Sequence, residues 1–274
     1  MRVEAITSPQ NSKIKEVVAL VEKSKLRRGK SLFVVEGIRE ITACIKNNYI
    51  IESIFFNPDI AGEEISKYPD IQSYINNQDS QKTAIYSVSS PAYTKMAYRE
   101  STEGVIAIVN EKKYKLDDLD SSKTPLLLIC EHIEKPGNLG AMLRTADACN
   151  LTGIIICDPL TDLYNPNIIR ASLGAIFTKK VITCTNEEAY TWLKQNNIQI
   201  LTAQLQDSSY YYNINMTIPT AIVMGSEALG LTDFWRKVSD AKIKIPMLGE
   251  MDSLNVSVSA AVLCYEAIRQ RENK

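Results

Sequence analysis

Apolar residues at positions 14, 17, 18, 20 and 21 recur with helical spacing, so residues 11–26 read as an amphipathic helix. The run SLFVV at 31–35 reads as a short strand, followed by a helix over 36–47. Another strand is expected at 50–56, ended by Asn57-Pro58, because proline cannot extend a ladder. Residues 84–88 and 105–109 also have strand character, with helical stretches between them. This alternation predicts a small α/β domain over 1–110.

Residues 111–125, EKKYKLDDLDSSKTP, are polar and charged, which predicts a connection over 111–124. The α/β rhythm then resumes more strongly. Strands are expected at 126–130 (LLLIC), 153–157 (GIIIC), 198–203, 220–224 and 241–245. Helices are expected at 139–150 and 254–270. Continuous β-branched runs of this kind suit a parallel sheet covered on both faces, so 125–274 reads as a second, larger α/β domain.

Composition changes this picture little. With 274 residues, 45% hydrophobic and 23% charged, the chain is an ordinary globular sequence of two-domain size. Its apolar runs are too short to span a membrane, and its first residues, MRVEAITSPQNSK, lack a signal-peptide core. A cytoplasmic location and no membrane partner are the expectation. Cysteines 44, 130, 149, 157, 184 and 264 include no C-x-x-C pair and mostly sit in apolar runs, which predicts buried free thiols and no metal site. One histidine, His132, is too few for an imidazole-rich metal centre or a typical triad. Net charge is −1, but residues 1–30 hold Arg2, Lys13, Lys15, Lys23, Lys25, Arg27, Arg28 and Lys30 against Glu4, Glu16 and Glu22. That excess suits either phosphate contacts or a solvated helix face.

Three segments carry candidate chemistry. In EKPGNLGAMLRTADA (134–148), Pro136-Gly137 follows a strand and Asn138 is placed to cap the next helix. Arg144 lies six residues on, a little under two turns, so both side chains are expected to lean toward a common space. In IVMGSEALGLTDFW (222–235), a strand ends at Gly225, and Ser226-Glu227 precede Gly230. Ligands of open α/β sheets bind beyond such strand ends. The segment is neither G-x-G-x-x-G nor a P-loop, which disfavours a Rossmann-type nucleotide enzyme. In IKIPMLGEMDSLNVSVSAAVLCYEAIR (243–269), Ser253 is expected to cap a helix whose first turn carries Asn255. Taken singly, each segment is also explained by a cap, a turn or a surface charge.

Together and in this order, the segments resemble the three motifs of the SpoU (TrmH) family of SPOUT methyltransferases. NLGAMLRTADA is similar to the first motif, VMGSEALGL to the second, and IPMLGEMDSLNVSVSAAVLCYE to the third. The resemblance runs over roughly 125–270 and takes in RASLGAIF at 170–177. It implies a domain whose C-terminal segment is threaded as a deep trefoil knot, an exception to ordinary topology. It also implies S-adenosylmethionine as methyl donor and a homodimer with the site completed across the interface. Cofactor contacts carried over by position are Thr202, Ala203, Met224, Gly225, Ile245, Met247 and Leu254.

KSLFVVEGIREI (30–41) resembles, more loosely, the family's substrate-binding domain, a small fold related to ribosomal RNA-binding proteins. The implied RNA contacts are Lys13, Arg27, Arg28, Lys30, Arg39, Arg170 and Ser172. The implied reaction is methyl transfer to a ribose 2′-hydroxyl of structured RNA, ribosomal RNA before tRNA. The alternative is a catalytically inactive RNA-binding or ribosome-assembly factor on the same fold. Loss of Asn138, Arg144 or Asn255 would be expected of it, and all three are present. The family's proposed base aligns with Arg144, but a guanidinium of pKa above about 12 is poorly suited to accept a proton. Arg144 is therefore expected to stabilise alkoxide charge, with Asn138 orienting it or the hydroxyl. Glu227, Ser253 and Asn255 are expected to position groups by hydrogen bonding. His132 falls where the family uses no residue for chemistry.

Overall fold

The computed structural model describes residues 3–66, 69–76, 83–99 and 103–272; Arg2 of the basic N-terminus lies outside them. The chain divides into two compact units, Met1–Lys112 with Asp162–Phe177, and Lys113–Thr161 with Thr178–Lys274.

The first unit begins with β1 (Glu4–Ile6), α1 (Ser12–Glu22), α2 (Ser24–Lys30), β2 (Leu32–Glu36) and α3 (Ile38–Lys46). It continues with β3 (Ile51–Phe56), α4 (Pro58–Ser66), α5 (Pro69–Asn76), β4 (Ala84–Val88), α6 (Ser90–Met96) and β5 (Val105–Asn110). The sheet order is β1-β4-β3-β5-β2, with β5 antiparallel to β3 and β2 and the other pairs parallel. Where one helix is expected over 11–26, the backbone extends at Lys23 and α2 starts afresh. The break has a physical cause in Arg27. Its Nη1 donates to the carbonyls of Leu20 (2.6 Å) and Val21 (2.8 Å), the unsatisfied acceptors at the end of α1. Its Nε donates to Asp162 (2.6 Å), and the residue is only 5% exposed. Arg27 is thus a buried helix cap and not the phosphate contact the sequence led us to expect.

The second unit builds a seven-stranded sheet from β6 (Leu126–Glu131), α7 (Pro136–Ala148), β7 (Gly153–Cys157) and the elements after them. Two short helices, α8 (Pro166–Ser172) and α9 (Ala175–Thr178), come next, and nearly all of this stretch belongs to the first unit. There Tyr164 stacks on Phe33 with centroids 4.1 Å apart. Ser172 is fully buried with its hydroxyl donating to the Ile169 carbonyl (2.9 Å), which removes it as an RNA contact. Next come β8 (Val181–Cys184), α10 (Asn186–Gln195), β9 (Gln199–Ala203), β10 (Ser209–Tyr210) and β11 (Thr220–Met224). The chain closes with α11 (Asp233–Val238), β12 (Ala241–Lys244) and α12 (Val256–Glu272).

All seven strands are parallel, in the order β10-β12-β9-β11-β6-β7-β8. Alternate residues of the apolar runs serve opposite faces. Leu127, Ile129, Ala221 and Val223 join one cluster with Trp192, Leu193 and Trp235 of α10 and α11. The other face of β6 and β11 packs against α12, which also lies along α7. This two-sided cover is why the strands read as unbroken hydrophobic runs. The polar stretch before β6 is less free than its composition suggests, since Leu119 within it is buried in the same cluster. All six thiols are unpaired and all but the half-buried Cys184 are buried, as their apolar settings predict. No described helix is long and apolar enough to cross a membrane.

Candidate active site

A cavity of about 480 Å³ opens at the carboxyl ends of β9, β11 and β12. This is where doubly covered parallel sheets bind ligands, because the strand-to-helix loops there can diverge. Six of the seven expected cofactor residues line it: Ala203, Met224, Gly225, Ile245, Met247 and Leu254. Thr202 does not. It is buried within β9, and its hydroxyl has no partner among the described residues.

Four of the five expected catalytic residues also line the cavity, namely Asn138, Glu227, Ser253 and Asn255. Three of them are joined directly. Asn138 Nδ2 donates to Glu227 Oε1 at 2.5 Å, and Asn255 Nδ2 donates to Asn138 Oδ1 at 3.1 Å. Asn255 Oδ1 in turn accepts from the Ser257 backbone N–H (2.9 Å) and hydroxyl (2.7 Å). The series therefore links all three motifs and ties them to the first turn of α12. It also corrects two expected caps. Helix α7 starts at Pro136, three residues before the expected position, with no side-chain cap, so Asn138 sits inside its first turn and is free for Glu227. Proline is well placed there, where no intrahelical donor is needed. Helix α12 starts at Val256, and Asn255 supplies the capping oxygen while the Ser253 hydroxyl donates to Asp252 (3.1 Å).

Arg144 is not brought to this group within one chain. It is exposed on α7 and absent from the cavity wall. Six residues at about 100° each place it roughly 120° around the helix from Asn138, which the count of turns along the axis concealed.

Burial acts to raise the pKa of Glu227, but donors outweigh it. The Asn138 amide and the backbone N–H groups of Glu227, Glu134 and Lys135 hold its carboxyl below the usual range. It is thus a fixed anion with occupied oxygens, suited to orienting Asn138 and poorly suited to taking a proton. A depressed carboxyl pKa gives stability that is present above the unfolded value, near pH 4.3, and lost as pH falls through the lower folded value. Glu227→Gln is therefore expected to lower the melting temperature by about 2 °C at pH 7. In melts across a pH series, that difference from wild type is expected to shrink below about pH 4. A difference that grows on acidification would contradict the assignment.

Sequence reasoning missed a second polar group that holds the same loop. Glu131, fully buried at the end of β6, accepts from Thr232 N (2.8 Å), Thr232 Oγ1 (2.6 Å) and Asn186 Nδ2 (2.8 Å). Asn186 Oδ1 accepts from Trp235 Nε1 (2.6 Å). The available signal was a carboxylate ending the apolar run LLLICE, which only a dedicated set of donors makes tolerable. His132 follows it in the left-handed region (φ 51°) and lines a second cavity of about 470 Å³ beside the 226–233 loop.

Of the expected RNA contacts, Arg28, Arg39 and Arg170 are exposed. Lys13 lies 4.8 Å from the centre of the Tyr86 ring, and a hydrogen bond to Tyr86 raises its pKa. Lys30 is ion-paired with Glu16.

Fold and site together define an α/β protein with a ligand cavity at the carboxyl edge of a parallel sheet and an amide–carboxylate series at its mouth. The SpoU rRNA Methylase family model matches residues 125–265, and the MRM3-like substrate binding domain model matches residues 11–107. The chain belongs to the SpoU rRNA methylase family. It is 34% identical to the 23S rRNA (guanosine-2′-O-)-methyltransferase RlmB of Pectobacterium atrosepticum over 73% of this chain and 85% of that one. A crystal structure of an RNA 2′-O ribose methyltransferase is 34% identical, with TM-score 0.81, covering 98% of this chain and 99% of the other. The AdoMet-bound rRNA methyltransferase from Sinorhizobium meliloti shares the fold at TM-score 0.88 and 23% identity, over 97% and 98% of the two chains.

Proposed function

We propose that this chain transfers the methyl group of S-adenosylmethionine to a ribose 2′-hydroxyl of ribosomal RNA, in the cytoplasm. The observation that carries the reading is the Asn255–Asn138–Glu227 series at the mouth of the cavity. The substrate class follows from the names of the relatives and from the substrate-binding domain at 11–107.

The cavity suits the cofactor chemically. Ala203, Met224, Ile245, Met247 and Leu254 offer apolar walls, and Gly225 exposes backbone. Gln204 Oε1 on the same wall is sheltered and has no donor within the described chain, so it can accept from a nucleoside N–H or O–H. The bound cofactor supplies an electrophilic methyl on a sulfonium.

The chain's own groups hold the attacking hydroxyl. The Asn138 amide uses one N–H on Glu227 and one lone pair on Asn255, leaving one donor and one acceptor site for the ribose. Because both of its neighbours are fixed, the amide is preorganised, and positioning of this kind supplies much of a transfer reaction's acceleration. Arg144 stabilises negative charge developing on the 2′-oxygen by donation. Its placement away from the cavity wall favours a homodimer in which a second copy brings Arg144 to the site, and the apolar exposure around the third motif supports this. Leu248 is 96% exposed, Met251 73% and Tyr265 53%, apolar side chains that a second copy would cover. In the first unit, Lys13, Arg28, Lys30, Arg39 and Arg170 are the phosphate-contacting candidates that remain.

The test is transfer of labelled methyl groups from S-adenosylmethionine to ribosomal RNA from cells lacking this gene, followed by mapping of 2′-O-methyl positions. One new methylated ribose, absent without the protein, is the expected result. Cofactor binding without any transfer to ribosomal RNA would overturn the substrate assignment.

A further inference from the structure

Two other sheltered arginines among the described residues donate several hydrogen bonds to acceptors of the fold. Arg27 has Asp162 and two carbonyls, and Arg271 donates to the carbonyls of Met216, Thr124, Pro125 and Ile218. Arg236 of α11 differs from both. Its Nε is cut off from solvent, and neither that atom nor the rest of the guanidinium has a hydrogen-bond or ion-pair partner among the described residues. An unmatched buried donor of this kind costs stability, and the cost is understandable where a ligand supplies the acceptor.

Its location names the ligand chemistry. Arg236 lines both the cofactor cavity and the neighbouring 470 Å³ cavity. A side chain built on the Gly230 Cα would reach to 3.7 Å from its Nη2, so the guanidinium lies close over the second-motif loop. The acidic groups on these walls leave it alone. Glu227 is held by Asn138, Asp252 is exposed and accepts from the Ser253 hydroxyl, and Glu134 and Asp233 are exposed; none of the four pairs with it. The other cations of the cofactor cavity are less suited. Lys135 is exposed, and Lys244 lies 5.5 Å over the Tyr210 ring. The apolar and backbone groups that suit an adenosyl moiety also include nothing to neutralise a carboxylate.

We infer that Arg236 is an oxyanion-binding residue of this site, receiving either the carboxylate at the methionyl end of the cofactor or a phosphate of the RNA. The inference rests on the methyltransferase reading above. A planar fork matches either group bidentately.

Calorimetry on Arg236→Gln separates the two sources. S-adenosylhomocysteine carries the carboxylate, and 5′-methylthioadenosine keeps the adenosyl thioether without it. If the carboxylate is the ligand, the variant binds S-adenosylhomocysteine at least about tenfold more weakly and methylthioadenosine unchanged. If phosphate is the ligand, cofactor binding is unchanged. Binding to deproteinised 23S ribosomal RNA then weakens, and its log–log salt slope falls by about one. Arg236→Lys is expected to recover part of either loss, since it keeps the charge without the fork. No change in either arm, or equal loss for both adenosyl ligands, would overturn the assignment, the second outcome marking a purely structural role. Wild-type protein that binds neither S-adenosylhomocysteine nor RNA would instead overturn the function itself.

Discussion

Replacing Arg144 by alanine is expected to reduce methyl transfer by at least about 10²–10³-fold while leaving S-adenosylhomocysteine affinity unchanged by calorimetry. The separation follows from geometry. Arg144 is exposed on α7 and does not border the cavity, so its removal takes nothing from the cofactor's surroundings. The role proposed for it is confined to charge that appears only as the 2′-oxygen attacks, and losing such an interaction lowers turnover more than ground-state binding. Arg144→Lys keeps the charge but not the paired donors, so most of the loss is expected to remain. A variant that methylates at near wild-type rate would remove Arg144 from the mechanism.

The same residue tests the dimer. If Asn138 of one copy works with Arg144 of another, neither Asn138→Ala nor Arg144→Ala protein is active alone. Mixed after subunit exchange, each heterodimer holds one site with both residues intact and one with both replaced. Activity is then expected to return, toward half the wild-type value per heterodimer. No recovery, with subunit exchange verified independently, would place the two residues in one chain and require α7 to move.

Why the sequence revealed most of this site and missed parts of it comes down to the range of the interactions. Strands β6, β7 and β11 were legible because both faces are covered, leaving a run of apolar residues that stands out locally. β8 was not, being four residues long with only its first half buried, and β1 and β10 are shorter still. The association of 162–177 with the first unit rests on Arg27–Asp162 and Phe33–Tyr164, pairs more than a hundred residues apart that no periodicity encodes. The motif residues were found by their joint resemblance to a family. Their division of labour was not, since Asn138 resembles a cap until Glu227 is seen beside it. Burial explains the two misplaced RNA contacts. Arg27 and Ser172 are polar letters in a sequence, and only the fold shows that carbonyls of their own unit engage them.

Gly225→Ala is expected to be the most damaging single-methyl change in the second unit. A Cβ at this position would lie 2.2 Å from Gly230 C, 2.3 Å from Leu231 N and 2.5 Å from Gly230 O. All three are backbone atoms, so no side-chain rotation relieves the contact. The loop is pinned there from both sides. Ser226 and Gly230 exchange backbone hydrogen bonds of 3.1 and 3.0 Å, and Glu131 holds Thr232 just beyond. The methyl must therefore push residues 226–231 outward, against a buried carboxylate that resists the shift. Overpacking of this kind costs about 3 kcal/mol, or roughly 6–12 °C in melting temperature for a domain of this size. The displaced residues include Glu227 and much of the cavity wall, so S-adenosylhomocysteine affinity is expected to fall more than tenfold as well, by the scale of one lost charge-assisted contact. Gly249→Ala is the control. Nothing lies within 4 Å of a Cβ there, and the change is expected to stay within about 0.5 kcal/mol. Paired melts with and without S-adenosylhomocysteine measure both effects. A Gly225→Ala protein that melts and binds like wild type would show that the 226–231 loop does not rest on Gly225, and the preorganised placement of Glu227 would fall with it.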